Sequence, residues 1–333
     1  MSAAPDPQST LMLLFERVRD MGDMHGFARA IGAVLGAMRG DQEQEFSMTQ
    51  TVLSDPVLTN KVLRLANSGM YSAFGQQITT VTKAVLVLGT DAIGQLALGL
   101  KAIEEVSVTE GDTPPAHVEM EKAVLAGMVA RQVANSAAAG DPEEAVVCSM
   151  LHMLGRMLIT FYLPERWAAL QAHSGPGSED AAALTVLGLS MEDVGRAAAG
   201  QWGMPEELVG SMRRIEPAAP GADFSHNDWL AALSTMSAQC ADSLWHDDEA
   251  GAVTVRALAS SFSAMLGVPP EAIMAAVETA RQVAAADLSL APLAGPAGRR
   301  TRAMAATRLR AEYNQIMRAG VADMRGMLAT ANP

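Results

Sequence analysis

Apolar residues recur every three or four positions along almost the whole chain, whereas strictly alternating stretches bounded by turn residues are scarce. This spacing is the period of an α-helix and not that of a β-strand. Aromatic residues make up only 4% of the sequence, which is typical of closely packed helices with small side chains. The pattern therefore predicts an all-α, multi-helical fold.

Proline, glycine and serine collect in four stretches, which divide the chain into five helical blocks: 107–116, 171–180, 216–226 and 288–298. One helix start is well marked, because Asp55 offers a capping carboxylate and Pro56 suits the first helical position. In that helix Leu58, Val62, Leu65 and Ala66 share one face, and residues 67–69 are expected to close it with a left-handed cap.

Three separated stretches carry an ordered set of motifs. The first contains Asp55-Pro56, Leu63-Arg64-Leu65-Ala66-Asn67-Ser68, Ile78, Ala84 and Val87-Leu88-Gly89; the second contains His152-Met153-Leu154-Gly155-Arg156; the third contains Leu187-Gly188, Val194-Gly195 and Trp202-Gly203-Met204-Pro205. Together they resemble the HDOD family of bacterial signalling domains, which is related to the metal-dependent HD phosphohydrolases.

The resemblance implies an HDOD/HD-like helical bundle over residues 1–216, with a core from about residue 10. Residues 217–290 are predicted to form a helical extension that packs on this bundle. Residues 291–333 are predicted to form a linker and an arginine-rich C-terminal helix.

The motifs lack the metal-binding residues that the resemblance to HD phosphohydrolases would lead one to expect. Phosphohydrolases carry His-Asp where this chain has His152-Met153, and the first histidine ligand falls near Glu121 by this alignment. Many relatives have a later histidine pair, where this chain reads Arg213-Arg214. A thioether is a poor ligand for hard divalent ions. We therefore expect no metal, no cofactor and no catalytic residue.

Six residues form the candidate interaction or ligand pocket: Arg64, Asn67, Ser68, His152, Arg156 and Trp202. Asn67 and Ser68 can simply cap a helix end, or they can join Arg64 in holding a small anionic ligand or a partner's backbone. His152 is interpreted as a buried core histidine, and Trp202 with Pro205 as an apolar plug at a helix junction.

The formal net charge of −13 disfavours general nucleic-acid binding. The last 35 residues differ, because seven arginines and two acidic residues give them +5 and leave −18 for residues 1–298. This tail can lie on the acidic body or bind anions from outside.

Cys148 and Cys240 lack disulfide or zinc spacing, and we expect buried thiols in a reducing cytoplasm. By sequence no apolar run approaches the roughly 20 residues of a membrane span, and the N-terminus shows no export signal, so a cytoplasmic protein is expected.

The leading hypothesis is a non-enzymatic regulatory module that contacts a protein partner in a signalling pathway, in response to a small ligand, as a monomer or a homodimer. One alternative is a residual metal-dependent phosphohydrolase. The other is nucleotide or nucleic-acid binding through the arginine-rich tail.

Overall fold

The structure, a computed structural model, describes residues 6–21, 48–67, 77–90, 92–94, 115–137, 141–173, 179–220, 224–245 and 249–286. These ranges contain helices and connections but no strand, which confirms the all-α prediction. The described helices are α1 (Pro7–Met21), α2 (Met48–Leu53), α3 (Pro56–Ala66), α4 (Val81–Thr90), α5 (Pro115–Ser136), α6 (Pro142–His152), α7 (Leu154–Tyr162), α8 (Pro164–His173), α9 (Glu179–Leu187), α10 (Met191–Gln201), α11 (Glu206–Ser211), α12 (His226–Trp245), α13 (Glu249–Leu266) and α14 (Pro270–Ala286).

Helix α5 lies at the centre of the fold. It packs against α3, α6, α7, α12 and α14. Its middle is buried on nearly every side, through Met120, Ala123, Val124, Leu125, Ala126, Val129, Ala130, Val133 and Ala134. A helix that is apolar around its whole circumference is a core helix, and small side chains let its neighbours approach closely.

The helices after residue 217 belong to the same body. Helix α12 packs against α5 and α6, and α14 packs against α5. Their buried faces include Leu233, Met236 and Ile273, which extend the single apolar core. The domain boundary at residue 216 stays a sequence-based prediction, and the arginine-rich tail lies outside the described residues.

The predicted start of α3 is confirmed. Asp55 is its N-cap, and the carboxylate accepts hydrogen bonds from the backbone N–H groups of Val57 at 2.8 Å and Leu58 at 3.1 Å. Pro56 occupies the first turn, where no N–H partner is needed. At the other end Asn67 closes α3 with φ −92° and ψ 2°, and the two residues that complete the predicted left-handed cap, 68 and 69, lie outside the described residues.

Helices α7 and α10 cross at two glycines. A Cβ atom at Gly155 would overlap the carbonyl oxygen of Met191, and one at Gly195 would lie 2.9 Å from the backbone nitrogen of Gly155. The backbones approach so closely that neither position has space for a side chain. This contact places the start of α10 beside the junction of α6 and α7.

One apolar stretch, Pro142–Tyr162, is long and hydrophobic enough to qualify as a membrane span, contrary to the sequence-based expectation. It spans α6 and α7, and 89% of its apolar window is buried inside the protein. Its burial explains its apolar composition, because α6 and α7 lie in the protein core. Cys148 within it and Cys240 on α12 are free and fully buried, as predicted, and burial raises the pKa of each thiol to about 12.

The glycine crossing gives a stability prediction. Gly155→Ala should lower the free energy of unfolding by about 3 kcal/mol or more, because the added methyl group must displace the α10 backbone. Gly200→Ala is the matched control, since a Cβ atom there would meet nothing within 4 Å. That variant should gain about 0.5–1 kcal/mol from improved helix propensity. Urea unfolding of both variants measures the difference, and equal effects would contradict the proposed crossing.

Candidate functional site

A cavity of about 380 Å³ lies beside the junction of α6 and α7. Its walls come from that junction, from the first turns of α9 and α10, from Arg214, and from α12 and α13. The lining residues are His152, Met153, Arg156, Glu179, Asp180, Met191, Glu192, Arg214, Thr235, Ala238, Gln239, Asp242, Ser243 and Thr254. A volume of this size is at the lower end of the range for small-molecule sites.

Arg156 is the charged centre of this region. Its Nε donates to Glu119 Oε2 at 2.6 Å, and its Nη1 donates to Glu179 Oε2 at 2.6 Å. The guanidinium carbon lies 5.5 Å from the ring centre of Trp167. Burial disfavours the charge of Arg156, but the two carboxylates more than offset this and raise its pKa above its ordinary value.

The ionic chain continues along α5. Lys122 donates to Asp242 Oδ1 at 2.6 Å and lies 3.3 Å from Glu119 Oε1. Burial alone would raise the pKa of Glu119, but the charges of Arg156 and Lys122 outweigh it and the pKa is lowered. Five alternating charges therefore run in sequence from Glu179 through Arg156, Glu119 and Lys122 to Asp242.

His152 is buried at the end of α6, as predicted. Its Nε2 lies 3.9 Å from Glu192 Oε1, too far for a hydrogen bond, and its Nδ1 makes no hydrogen bond of normal length within the described residues. Burial lowers the pKa of His152 to about 4, the positive charge of Arg214 adds to this, and the Met212 backbone only partly offsets it. Burial also raises the pKa of Glu192. The imidazole is therefore neutral at pH 7.

Of the predicted pocket residues that the structure describes, two line the cavity and three do not. His152 and Arg156 line the cavity. Asn67 instead bonds only to backbone: its Nδ2 donates to the carbonyls of Leu63 at 2.9 Å and Ile78 at 2.8 Å, and its Oδ1 accepts from the N–H of Ile78 at 2.9 Å. These bonds tie the end of α3 to the segment that leads into α4, in agreement with the capping interpretation.

Arg64 and Trp202 are not among the residues that line the cavity. The Arg64 guanidinium carbon lies 4.2 Å from the ring centre of Trp202, a cation–π contact between α3 and the end of α10. Trp202 is the half-buried C-cap of α10 and packs against the core, and Pro205 precedes α11. Ser68 lies outside the described residues.

Sequence reasoning missed the acidic members of the site. Glu119, Glu179, Glu192 and Asp242 were not singled out, and the α5 residue that reaches Arg156 is Glu119 and not Glu121. One signal was available, since charged residues at 119, 121 and 122 interrupt a helix whose other central positions are apolar. Charges in such a helix are expected to be paired.

The donor set does not fit the metal that the HD relationship implies. Met153 is 2% exposed and belongs to the apolar core, so a thioether stands beside His152 where a carboxylate would be needed. The oxygens of Glu119 are already bonded to Arg156 and Lys122. The described residues contain no group of three or more His, Cys, Asp or Glu side chains with metal-binding geometry.

The buried histidine gives a pH prediction. Because the folded pKa of about 4 lies below the unfolded value of 6.5, the unfolded chain binds more protons between these values, and stability falls as pH falls from 6.5 to 4. The loss is at most about 3 kcal/mol. The raised pKa of Glu192 opposes it. His152→Gln should remove this part of the pH dependence, as measured by urea unfolding at several pH values. Parallel curves for the two proteins would refute the assignment.

Comparisons with known proteins agree with this arrangement of helices. The structure resembles the MmoQ response regulator from Methylococcus capsulatus str. Bath, with a TM-score of 0.58, 22% identity, and coverage of 77% of this chain and 98% of that chain. It also resembles a virulence factor from Campylobacter jejuni subsp. jejuni, with a TM-score of 0.60, 16% identity, and coverage of 80% and 96%. At these identities the likeness shows the fold alone. No curated protein matches the sequence.

The family itself is shown by sequence. Residues 33–217 match the model of the HDOD domain, and this range includes the three motif stretches, His152, Arg156 and the crossing of α7 and α10. The match covers more than half of the chain and confirms the resemblance drawn from the motifs. The chain belongs to the HDOD domain family.

Proposed function

We propose that this protein is a bacterial regulatory module of the cytoplasm that acts by contact with a protein partner and does not hydrolyse phosphate esters. The observation that carries the proposal is the guanidinium of Arg156, which is held between Glu119 and Glu179 beside His152. The guanidinium engages oxygens of Glu119 and Glu179, and Met153 places a thioether beside His152, so this donor set is poorly suited to hold a metal that would activate water.

A signalling role agrees with the family and with the name of one structural relative, a response regulator. The whole polar centre is built from ion pairs between helices, so a shift of one helix changes the partners of the others. A module of this kind transmits a conformational state to a partner through its surface. Gating by a small ligand is part of the proposal, and the cavity beside Arg156 supplies the space for one.

The test changes His152 to distinguish two mechanisms. Metal-dependent hydrolysis would require this histidine, whereas binding to a protein partner would not. Purified full-length protein, incubated with Mn²⁺ or Fe²⁺ and bis(p-nitrophenyl) phosphate, should show no metal-dependent hydrolysis above the protein-free blank. His152→Asn should give the same result. In the host, a deletion strain should be complemented equally by the wild-type gene and by His152→Asn when both proteins reach the same level.

Crosslinking in the same host cells, followed by mass spectrometry, should recover one reproducible protein partner with both forms. Stoichiometric metal binding together with phosphodiester hydrolysis, both lost in His152→Asn, would overturn the proposal in favour of a phosphohydrolase. Failure of His152→Asn to complement at normal protein level would count against action by contact.

A further inference from the structure

The cavity lies between two parts of the chain. Residues of the HDOD region, from His152 to Arg214, form one wall, and helices α12 and α13 form the other. Its lining combines charged and polar side chains with apolar surface from Met153, Met191 and Ala238. A molecule bound there would contact both parts at once. The charges and hydrogen-bonding groups of the walls determine which ligand chemistry fits.

The cavity carries an excess of negative charge. Four carboxylates line it, from Glu179, Asp180, Glu192 and Asp242, against the two guanidinium groups of Arg156 and Arg214. The two arginines are already engaged: Arg156 with Glu119 and Glu179, and Arg214 with Asp180 at 2.8 Å. His152 adds no charge at pH 7 because burial keeps it neutral. The lining therefore has two formal negative charges more than positive ones.

The walls also offer hydrogen-bond acceptors beside the donors of Gln239 and Thr235. Ser243 donates its hydroxyl hydrogen to the Gln239 carbonyl at 2.8 Å, and Thr254 donates to the Ala250 carbonyl at 2.9 Å, so their oxygens present lone pairs. Within the described residues, Glu179 Oε1 is buried with no hydrogen-bond partner. The His152 side chain is 4% exposed and lines the cavity, and its Nδ1, a donor or an acceptor according to the tautomer, makes no hydrogen bond of normal length to the described residues. Buried groups of this kind require hydrogen-bond partners.

We propose that this cavity binds a small organic cation that carries a guanidinium or primary ammonium group. Such a ligand supplies both the missing positive charge and several N–H donors. The anionic ligand expected from the sequence was tied to Arg64, which contacts Trp202 outside the cavity. A phosphate or a nucleotide would meet the excess of carboxylates and is rejected by like-charge repulsion.

The same chemistry can come from two sources, a free metabolite or an arginine of residues 299–333, which hold seven arginines. Binding itself is independent of the proposed regulatory role. The further statement that the cation acts as the input of the module rests on that proposed function.

Isothermal titration calorimetry of the full-length protein at low ionic strength and mildly alkaline pH tests the proposal, with agmatine and putrescine as cationic probes and inorganic phosphate as the anionic one. The wild type should bind a cation saturably with one site. Glu192→Gln removes a cavity charge that makes no short ion pair in the described residues, and it should weaken binding about tenfold. Glu271→Gln on α14 removes an equal charge elsewhere and should leave the affinity unchanged.

A full-length variant with all seven tail arginines changed to glutamine distinguishes the two sources. If this variant binds agmatine more tightly than the wild type, the tail arginines compete for the cavity in the wild type. If its affinity is unchanged, the natural occupant is a free cation. Either result agrees with the proposed chemistry. The proposal fails if neither protein binds agmatine or putrescine saturably, if Glu192→Gln binds as tightly as Glu271→Gln, or if phosphate binds more tightly than the cations.

Discussion

The carboxylate of Glu119 and the ammonium of Lys122 lie on the helix that forms the centre of the fold, and each is less than a tenth exposed. Removing two charges from water is costly unless partners arrive with good geometry. Glu119 and Lys122 alone are not enough, and the network is completed by Arg156 from α7, Glu179 from α9 and Asp242 from α12. The placement of these helices around α5 is thus tied to the pairing of its charges.

This constraint acts on specificity more than on net stability. Buried ion pairs often contribute little free energy compared with apolar residues of the same size, whereas an unpaired member costs several kcal/mol. A shift of α9 by one turn would take Glu179 away from Arg156, and a shift of α12 would take Asp242 away from Lys122, so that Glu119 alone would have to pair with both cations. The apolar core of small alanine and valine side chains does not by itself exclude such shifts, because one small residue resembles the next. The charges therefore select one arrangement.

Local rules account for what the sequence predicted correctly. The Asp55 cap and the proline at the first turn of α3 depend on residues within four positions of one another. The motif glycines were recognised, but their reason was not, since the contact of Gly155 with Gly195 joins positions 40 apart. The charged site was missed on the same ground. Arg156 is 37 residues from Glu119, and Lys122 is 120 from Asp242.

The different positions of the predicted pocket residues have a similar origin. Arg64 and Asn67 are neighbours along α3, yet Asn67 turns to the backbone of Ile78 while Arg64 contacts Trp202. Helical spacing gives the distance between two side chains but not the partner that each one finds in the folded chain. Only His152 and Arg156, which lie on either side of the short break between α6 and α7, stay together in the cavity.

The position of Met153 explains how the protein can have a polar cavity without a set of metal ligands. Met153 extends the apolar core beside His152, but the carboxylates that face the cavity come from α9, α10 and α12 and do not depend on that position. Carboxylates that face a cavity favour a cation even where they do not form a metal site, because they repel one another and their oxygens need hydrogen-bond donors. Arg156 satisfies part of this requirement from within the chain. The remaining negative charge and the open volume leave a site suited to the recognition of a cation.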